Sequence, residues 1–179
     1  MKPVLFLDFD RTLFDTDQLY AWLGEDRFSR ILALTGGHIL PPDFASYLYP
    51  DSIEFLTRMR QTYRIVILTY ALNTILQRKK IRGSGILPYC DDVLIVAGGE
   101  GILSGKGEAA RAYLKRVGDS GWEHTFVDDL PENIDEVKRI NPHIRCVRID
   151  RVPSKDGVHT EHLKPDMVAT SLSELASLL

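Results

Sequence analysis

Apolar positions in this chain fall into short unbroken runs, and the stretches between them carry apolar residues at helical spacing. Six runs have strand character: Val4 to Asp8, Arg64 to Thr69, Asp92 to Ala97, Thr125 to Asp128, Arg145 to Ile149 and Met167 to Ala169. RIVILT and TFVDD are continuous, not alternating, which is the pattern of strands covered on both faces. Between the runs, one helix starts at Asp51 and carries Ile53, Leu56 and Met59 on one side. A second spans Ser104 to Val117, and Pro131 opens a third from its first turn. The last helix begins with SLSE, where Ser171 and Glu174 form a capping box. Strand–helix alternation of this kind implies right-handed crossovers and a three-layer, Rossmann-like α/β fold, a parallel sheet with helices on both faces. Ligands of such sheets sit beyond the carboxyl ends of the strands.

One segment breaks the rhythm. Residues 16–50 contain no strand-like run, are helical and aromatic (Tyr20, Trp22, Phe28, Phe44, Tyr47, Tyr49), and are punctuated by Gly36-Gly37 and Pro41-Pro42. They read as a small helical cap inserted after the first strand, over the carboxyl end of the sheet, with residues 1–15 and 51–179 as the core domain. Most of its aromatics read as packing, with Trp22 and Tyr47 as the candidates for substrate contact. Residues Val152 to Lys164 read as a surface loop.

Composition narrows the picture further. A chain of 179 residues with 44% hydrophobic and 26% charged residues suits one soluble domain with a real core. A net charge of −3 supplies no global field for nucleic acid or an anionic membrane. The basic run Arg78-Lys79-Lys80-Ile81-Arg82 has no aromatic interleaved with it, so it reads as a solvated helix face, not a nucleic-acid contact. The two cysteines, Cys90 and Cys146, are widely separated and read as reduced thiols of a cytoplasmic protein. The N-terminal apolar run is too short for a signal peptide, and none approaches the roughly 18 residues of a membrane helix. His159-Thr160-Glu161-His162 resembles half a metal site but has no third ligand in view.

The chemistry sits at the strand ends. The first strand ends in Asp8, Asp10 and Thr12, the second in Thr69, and the fourth in Asp128 and Asp129, while Lys106 stands near the start of the helix after the third. A parallel sheet brings these groups to one pocket. Several converging carboxylates demand a cation, and a hard ion that takes oxygen ligands, keeps waters and bridges to phosphate is Mg²⁺. With Lys106 alongside, the pocket attracts a phosphate dianion, which backbone N–H groups and Thr69 can hold. One carboxylate can then attack phosphorus to give an aspartyl phosphate, and another can move the proton.

Asp8-Phe9-Asp10-Arg11-Thr12-Leu13, Thr69 in ILTYA, Lys106 in LSGKGEA and Asp128-Asp129 in FVDDLPEN resemble the four motifs of the haloacid dehalogenase-like superfamily. They occur in the family's order, and the resemblance covers the chain apart from the insertion. It implies Asp8 as nucleophile, and Asp10 as general acid/base with its carbonyl on the metal. Thr69 would bind the phosphoryl group, and Lys106 would orient the nucleophile. Asp129 matches the metal-ligating acid, with Asp128 behind it and Asn133 where many members carry a further acid. Thr12, Thr69, Tyr70, Lys106 and Arg11 make up the implied phosphate- and substrate-binding set.

Arg11 departs from the family's commoner glycine. The function implied is a Mg²⁺-dependent phosphatase acting on a small phosphorylated metabolite. A phosphomutase of the same superfamily, or a non-catalytic phosphate-binding module like a receiver domain, are the alternatives. Dehalogenation is disfavoured, because members that attack carbon–halogen bonds lack a second acid at the position of Asp10.

Overall fold

The computed structural model describes residues 2–36, 42–98, 105–118, 121, 123–151 and 164–179. All six expected strands form: β1 (Val4–Leu7), β2 (Arg64–Ala71), β3 (Asp92–Ala97), β4 (Thr125–Asp128), β5 (Arg145–Ile149) and β6 (Met167–Ala169). They pair in the order β3-β2-β1-β4-β5-β6, every pair parallel. Strand β2 runs past Thr69 because Tyr70 and Ala71 pair with Val96 and Ala97.

The helices are α1 (Thr16–Leu23), α2 (Arg27–Gly36), α3 (Ser52–Met59), α4 (Thr74–Gly83), α5 (Lys106–Val117), α6 (Pro131–Ile140) and α7 (Leu172–Leu178). Local chemistry explains their starts. Asp15 caps α1 by accepting from Gln18 N at 2.9 Å, and Asn73 caps α4 by accepting from Leu76 N at 3.0 Å. At α7, Ser171 Oγ accepts from Glu174 N at 3.1 Å as expected. The Glu174 carboxylate, however, accepts from Thr170 N at 2.7 Å, one residue before the partner a capping box uses. Helix α5 begins at Lys106, and the expected start at Ser104 lies outside the described residues. Among the described residues no helix is long and apolar enough to cross a membrane.

Because successive strand residues point to opposite faces, each continuous apolar run feeds two cores at once. Leu5, Leu7, Ile65, Ile67, Val127 and Val147 join one core with residues of α3, α4 and α7. Val4, Phe6, Val66, Leu68, Phe126 and Cys146 join the other, with residues of α5 and α6. The segment from β1 to α3 belongs to the first core. There Phe14 stacks on Phe9 at 5.0 Å and meets Tyr47 at 5.8 Å and Phe44 at 6.4 Å, so both of these inserted aromatics are structural.

The start of α5 is held unusually closely by α6. Gly105 has a φ of +130° and no side chain to cap the helix. Glu136 of α6 takes over that task, accepting from Gly105 N at 3.1 Å and Gly107 N at 3.2 Å, while Asn141 Nδ2 donates to Gly107 O at 2.8 Å. A Cβ on Gly107 would lie 2.8 Å from Ile140 Cδ1 and 3.1 Å from the Glu136 carbonyl oxygen. Gly107→Ala is therefore expected to destabilise the protein by about 1–3 kcal/mol, as overpacking does. Urea denaturation checks this, and unchanged stability would mean that α5 and α6 can move apart freely.

Candidate active site

Register and parity decide what meets at the carboxyl end of the sheet. Leu7 pairs with Val127, and Asp8 N donates to Val127 O at 2.9 Å, so the next residues along, Asp8 and Asp128, stand side by side. Both continue the even-numbered face, the one covered by α5. Thr69 continues the opposite face of β2, the one covered by α4.

Lys106 fills the gap between the two acids. Its Nζ donates to Asp8 Oδ1 and to Asp128 Oδ2, each at 2.6 Å, and all three residues are buried. Asp128 has no exposed surface, and its Oδ1 accepts from Leu130 N and Asn133 Nδ2, both at 2.9 Å. Its lone pairs are thus largely committed to protein donors. Burial pushes the Asp8 carboxyl well above its ordinary range, and neighbouring acids add to this while Lys106 opposes it. Burial disfavours the charge on Lys106, but Asp128 and Asp8 outweigh it and keep the ammonium strongly protonated. Asp129 is pushed up to about 7, chiefly by burial and then by Asp128.

Asp10 is organised separately. Its Oδ1 accepts from the Thr16 hydroxyl and from Lys80 Nζ, and its Oδ2 from Gln77 Nε2 at 2.7 Å. Gln77 Nε2 also donates to Thr69 Oγ1 at 2.9 Å. That bond occupies the hydroxyl as an acceptor and leaves its proton for another partner.

A cleft of about 310 Å³ collects Asp8, Asp10, Arg11, Thr69, Tyr70, Lys106 and Asp129. A wider cleft of about 700 Å³ adjoins it, sharing Asp10, Tyr20 and Tyr70, and runs between α4 and the inserted helices. Two expected residues lie elsewhere. Thr12 is fully buried and its hydroxyl has no partner among the described residues, so that side chain does not reach the cleft. Asp128 backs Lys106 instead of lining the cleft. Arg11 has a φ of +58°, a conformation that costs a side-chain-bearing residue about 1–2 kcal/mol and explains why glycine suits this position. Its guanidinium reaches Asp17, with Nη2 2.7 Å from Oδ1.

Three expectations need correction or placement. Lys80 in the basic run is buried, because it turns under Phe9 and Phe14 to reach Asp10. Arg78 and Arg82 keep to the exposed side. Trp22 lies outside both clefts beside Arg30, and Tyr47 packs on Phe14, so among the described aromatics of residues 16–50 it is Tyr20 that lines the two clefts. The histidine pair at 159 and 162 lies outside the described residues, as does the Val152–Lys164 loop except for Lys164.

Sequence reading missed Gln77, Lys80 and Thr16. A signal existed for the first two. They fall on the same helical stripe as Leu76 and Ile81, so a glutamine and a lysine sit where apolar residues belong.

Oxygens of Asp8, Asp128 and Asp129 lie within 4.8 Å of one another. This hard-oxygen set suits Mg²⁺, with Asp8 and Asp129 facing the cleft and Asp128 behind.

The sheet order and the acid–lysine–acid cluster at its strand ends define the class, a Rossmann-like α/β protein built around a polar cleft. The fold is that of the haloacid dehalogenase-like hydrolases. No protein-family model matches the chain, and no curated protein matches it. Solved structures do. A haloacid dehalogenase-like hydrolase of Burkholderia xenovorans superposes with a TM-score of 0.74 at 18% identity, covering 99% of this chain and 97% of that one. A HAD phosphatase of Thermococcus onnurineus gives 0.69 at 18% identity, covering 99% and 97%. The L-2-haloacid dehalogenase of Xanthobacter autotrophicus, with chloropropionic acid covalently bound, gives 0.65 at 17%, covering 99% and 98%. At these identities the likeness establishes the fold, and the fold accommodates both activities.

The raised Asp129 carboxyl sets a pH test. Its folded value near 7 exceeds the unfolded value of about 3.9, so the folded protein holds an extra proton between them. Without metal, this group makes stability fall as pH rises from about 4 to about 7. A divalent cation competes with that proton. The rise in Tm on adding MgCl₂ should therefore be larger at about pH 8 than at about pH 5 in thermal melts. Equal shifts at both values would remove Asp129 from the metal set.

Proposed function

We propose that the chain is a Mg²⁺-dependent phosphohydrolase that releases phosphate from a small phosphomonoester through an aspartyl phosphate on Asp8. The observation that carries this reading is Asp10, a second acid held in the same cleft as Asp8 by Thr16, Gln77 and Lys80. Expelling a halide needs no proton, whereas expelling an alkoxide does. A built second acid is therefore the mark of phosphate ester chemistry in a fold that also hosts dehalogenases.

The residues divide the work as follows. Lys106 holds Asp8 Oδ1, which directs Oδ2 toward phosphorus. As the Asp8–phosphorus bond forms and the ester bond breaks, Asp10 gives its proton to the departing oxygen. Water then attacks the aspartyl phosphate, Asp10 takes back a proton, and Asp8 is restored. Thr69, whose Oγ1 is already an acceptor for Gln77, donates its hydroxyl proton to a phosphoryl oxygen. Tyr70 and Arg11 border the same space. Asp8, Asp129 and the Asp10 carbonyl, backed by Asp128, would hold Mg²⁺, which when bound offsets the charge of the carboxylates and the phosphoryl group. Residues 16–50 act as the cap, and Tyr20 brings that segment to the cleft. The wider cleft receives the part of the ester that leaves.

The test is turnover of p-nitrophenyl phosphate and a panel of phosphorylated metabolites, with MgCl₂ and with EDTA. Activity should require the metal, and Asp8→Asn should lower kcat by roughly 10³-fold or more while leaving the fold intact by circular dichroism. Absence of turnover across the panel would refute the phosphatase reading. Lys106→Ala should lower kcat by about 10²–10³-fold. It should also destabilise the protein, by about 3–5 kcal/mol where no metal is present, because Asp8 and Asp128 are left buried and facing each other. Unchanged kcat in that variant would separate Lys106 from the chemistry.

A further inference from the structure

Lys80 is buried and lies outside the four motifs, and among the described residues its ammonium donates to one group, the Asp10 carboxylate. It reaches Asp10 Oδ1 with Nζ 5.5 Å from the centre of the Phe9 ring and 5.1 Å from that of Phe14. Oδ1 also accepts from the Thr16 hydroxyl, so both its lone pairs are in use. Oδ2 accepts only from Gln77 among the described residues and keeps one lone pair for a proton. The carboxylate is a quarter exposed, and it borders both clefts.

The helix that supplies Lys80 and Gln77 is also the seam with the inserted segment. Lys79 Nζ donates to Leu34 O at the end of α2, and Gly83 lies so close to Phe44 that a Cβ there would fall 3.3 Å from Phe44 Cβ. One face of α4 thus holds both the inserted helices and Asp10.

From this geometry we infer that Lys80 is a positioning residue for proton transfer, pinning Oδ1 of Asp10 so that Oδ2 alone meets the leaving oxygen. The inference rests on the phosphatase reading above. In the first half-reaction the ester oxygen–phosphorus bond breaks as Asp8 bonds to phosphorus, and the proton on Oδ2 passes to that oxygen. The need for this proton rises with the basicity of the leaving group. Lys80 therefore matters most where the leaving group is poor, a dependence that mere packing does not produce.

The experiment compares kcat/KM, which reports the first half-reaction, for 2,4-dinitrophenyl, p-nitrophenyl, phenyl and ethyl phosphate in the intact protein with Mg²⁺. Lys80→Met should lose activity progressively along this series, with the loss on ethyl phosphate at least about tenfold larger than that on 2,4-dinitrophenyl phosphate. In an Asp10→Asn background the same substitution should add no further leaving-group dependence, since Lys80 acts through Asp10. If Lys80→Met does not fold, Lys80→Leu, which also removes the donor to Oδ1, carries the same comparison. Equal losses on all esters, or an undiminished effect in the Asp10→Asn background, would overturn the inference and leave the phosphatase reading standing. Failure of the unsubstituted protein to turn over any ester would overturn both.

Discussion

A buried ammonium between two buried carboxylates is the constraint on which the rest of this structure depends. Asp8 and Asp128 are forced side by side by the β1–β4 register, and neither can remain charged in that position without a cation. Lys106 meets that demand only if the first turn of α5 stands at one place and angle. The close-packed Gly107, the Glu136 carboxylate across the α5 N-terminus and the Asn141 bond to Gly107 O all fix that turn. Removing one partner of such a buried pair costs about 3–5 kcal/mol, because it leaves a buried charge without compensation, so the three residues depend on one another.

The two faces of the sheet contribute different chemistry to the cleft. The α5–α6 face brings charge, as Asp8, Asp128 and Lys106. The α4 face brings a hydrogen-bonded set, in which Gln77 and Lys80 of the helix reach Asp10 and Gln77 also reaches Thr69. They meet above β1, where the strand order turns outward in both directions, the place where such sheets bind ligands. Gln77 spans the second group by bonding to both Asp10 and Thr69, so the acid and the threonine hydroxyl share one side chain.

Much of this was legible from the chain. Continuous apolar runs marked β1, β2 and β4 because the middle of the sheet is buried on both faces, and acids at strand ends pointed to one cleft because parallel strands share one carboxyl edge. The errors have a common cause. Lys80 was read with Arg78 and Arg82 as one basic run, but neighbouring residues on a helix point in different directions, and only its angular position relative to Leu76 and Ile81 reveals that it faces inward. Tyr20, Trp22 and Tyr47 differ little in local sequence, and only the way the inserted helices lie on α4 decides which of them meets the cleft. Thr12 belongs to the DxDxT pattern, yet its hydroxyl is buried. The pattern there reports the shape of a turn, not a ligand.

That turn also bears on how one fold hosts different reactions. Its residues reverse the chain within a few positions: Arg11 N donates to Phe14 O at 2.7 Å, and Leu13 N and Phe14 N both donate to Phe9 O at 3.0 Å. The reversal requires Arg11 at positive φ, and it places Asp10 just past the strand, within reach of α4 and of Thr16 at the start of α1. Asp8 is set by the sheet, through the β1–β4 register. Asp10 is set by the turn, by Thr16 at the start of α1 and by α4. Superposition at 17–18% identity spans 99% of this chain with the phosphatase and the dehalogenase alike, so the whole fold is common to both. In this chain the second acid of the turn, Asp10, is held by three side chains, those of Thr16, Gln77 and Lys80.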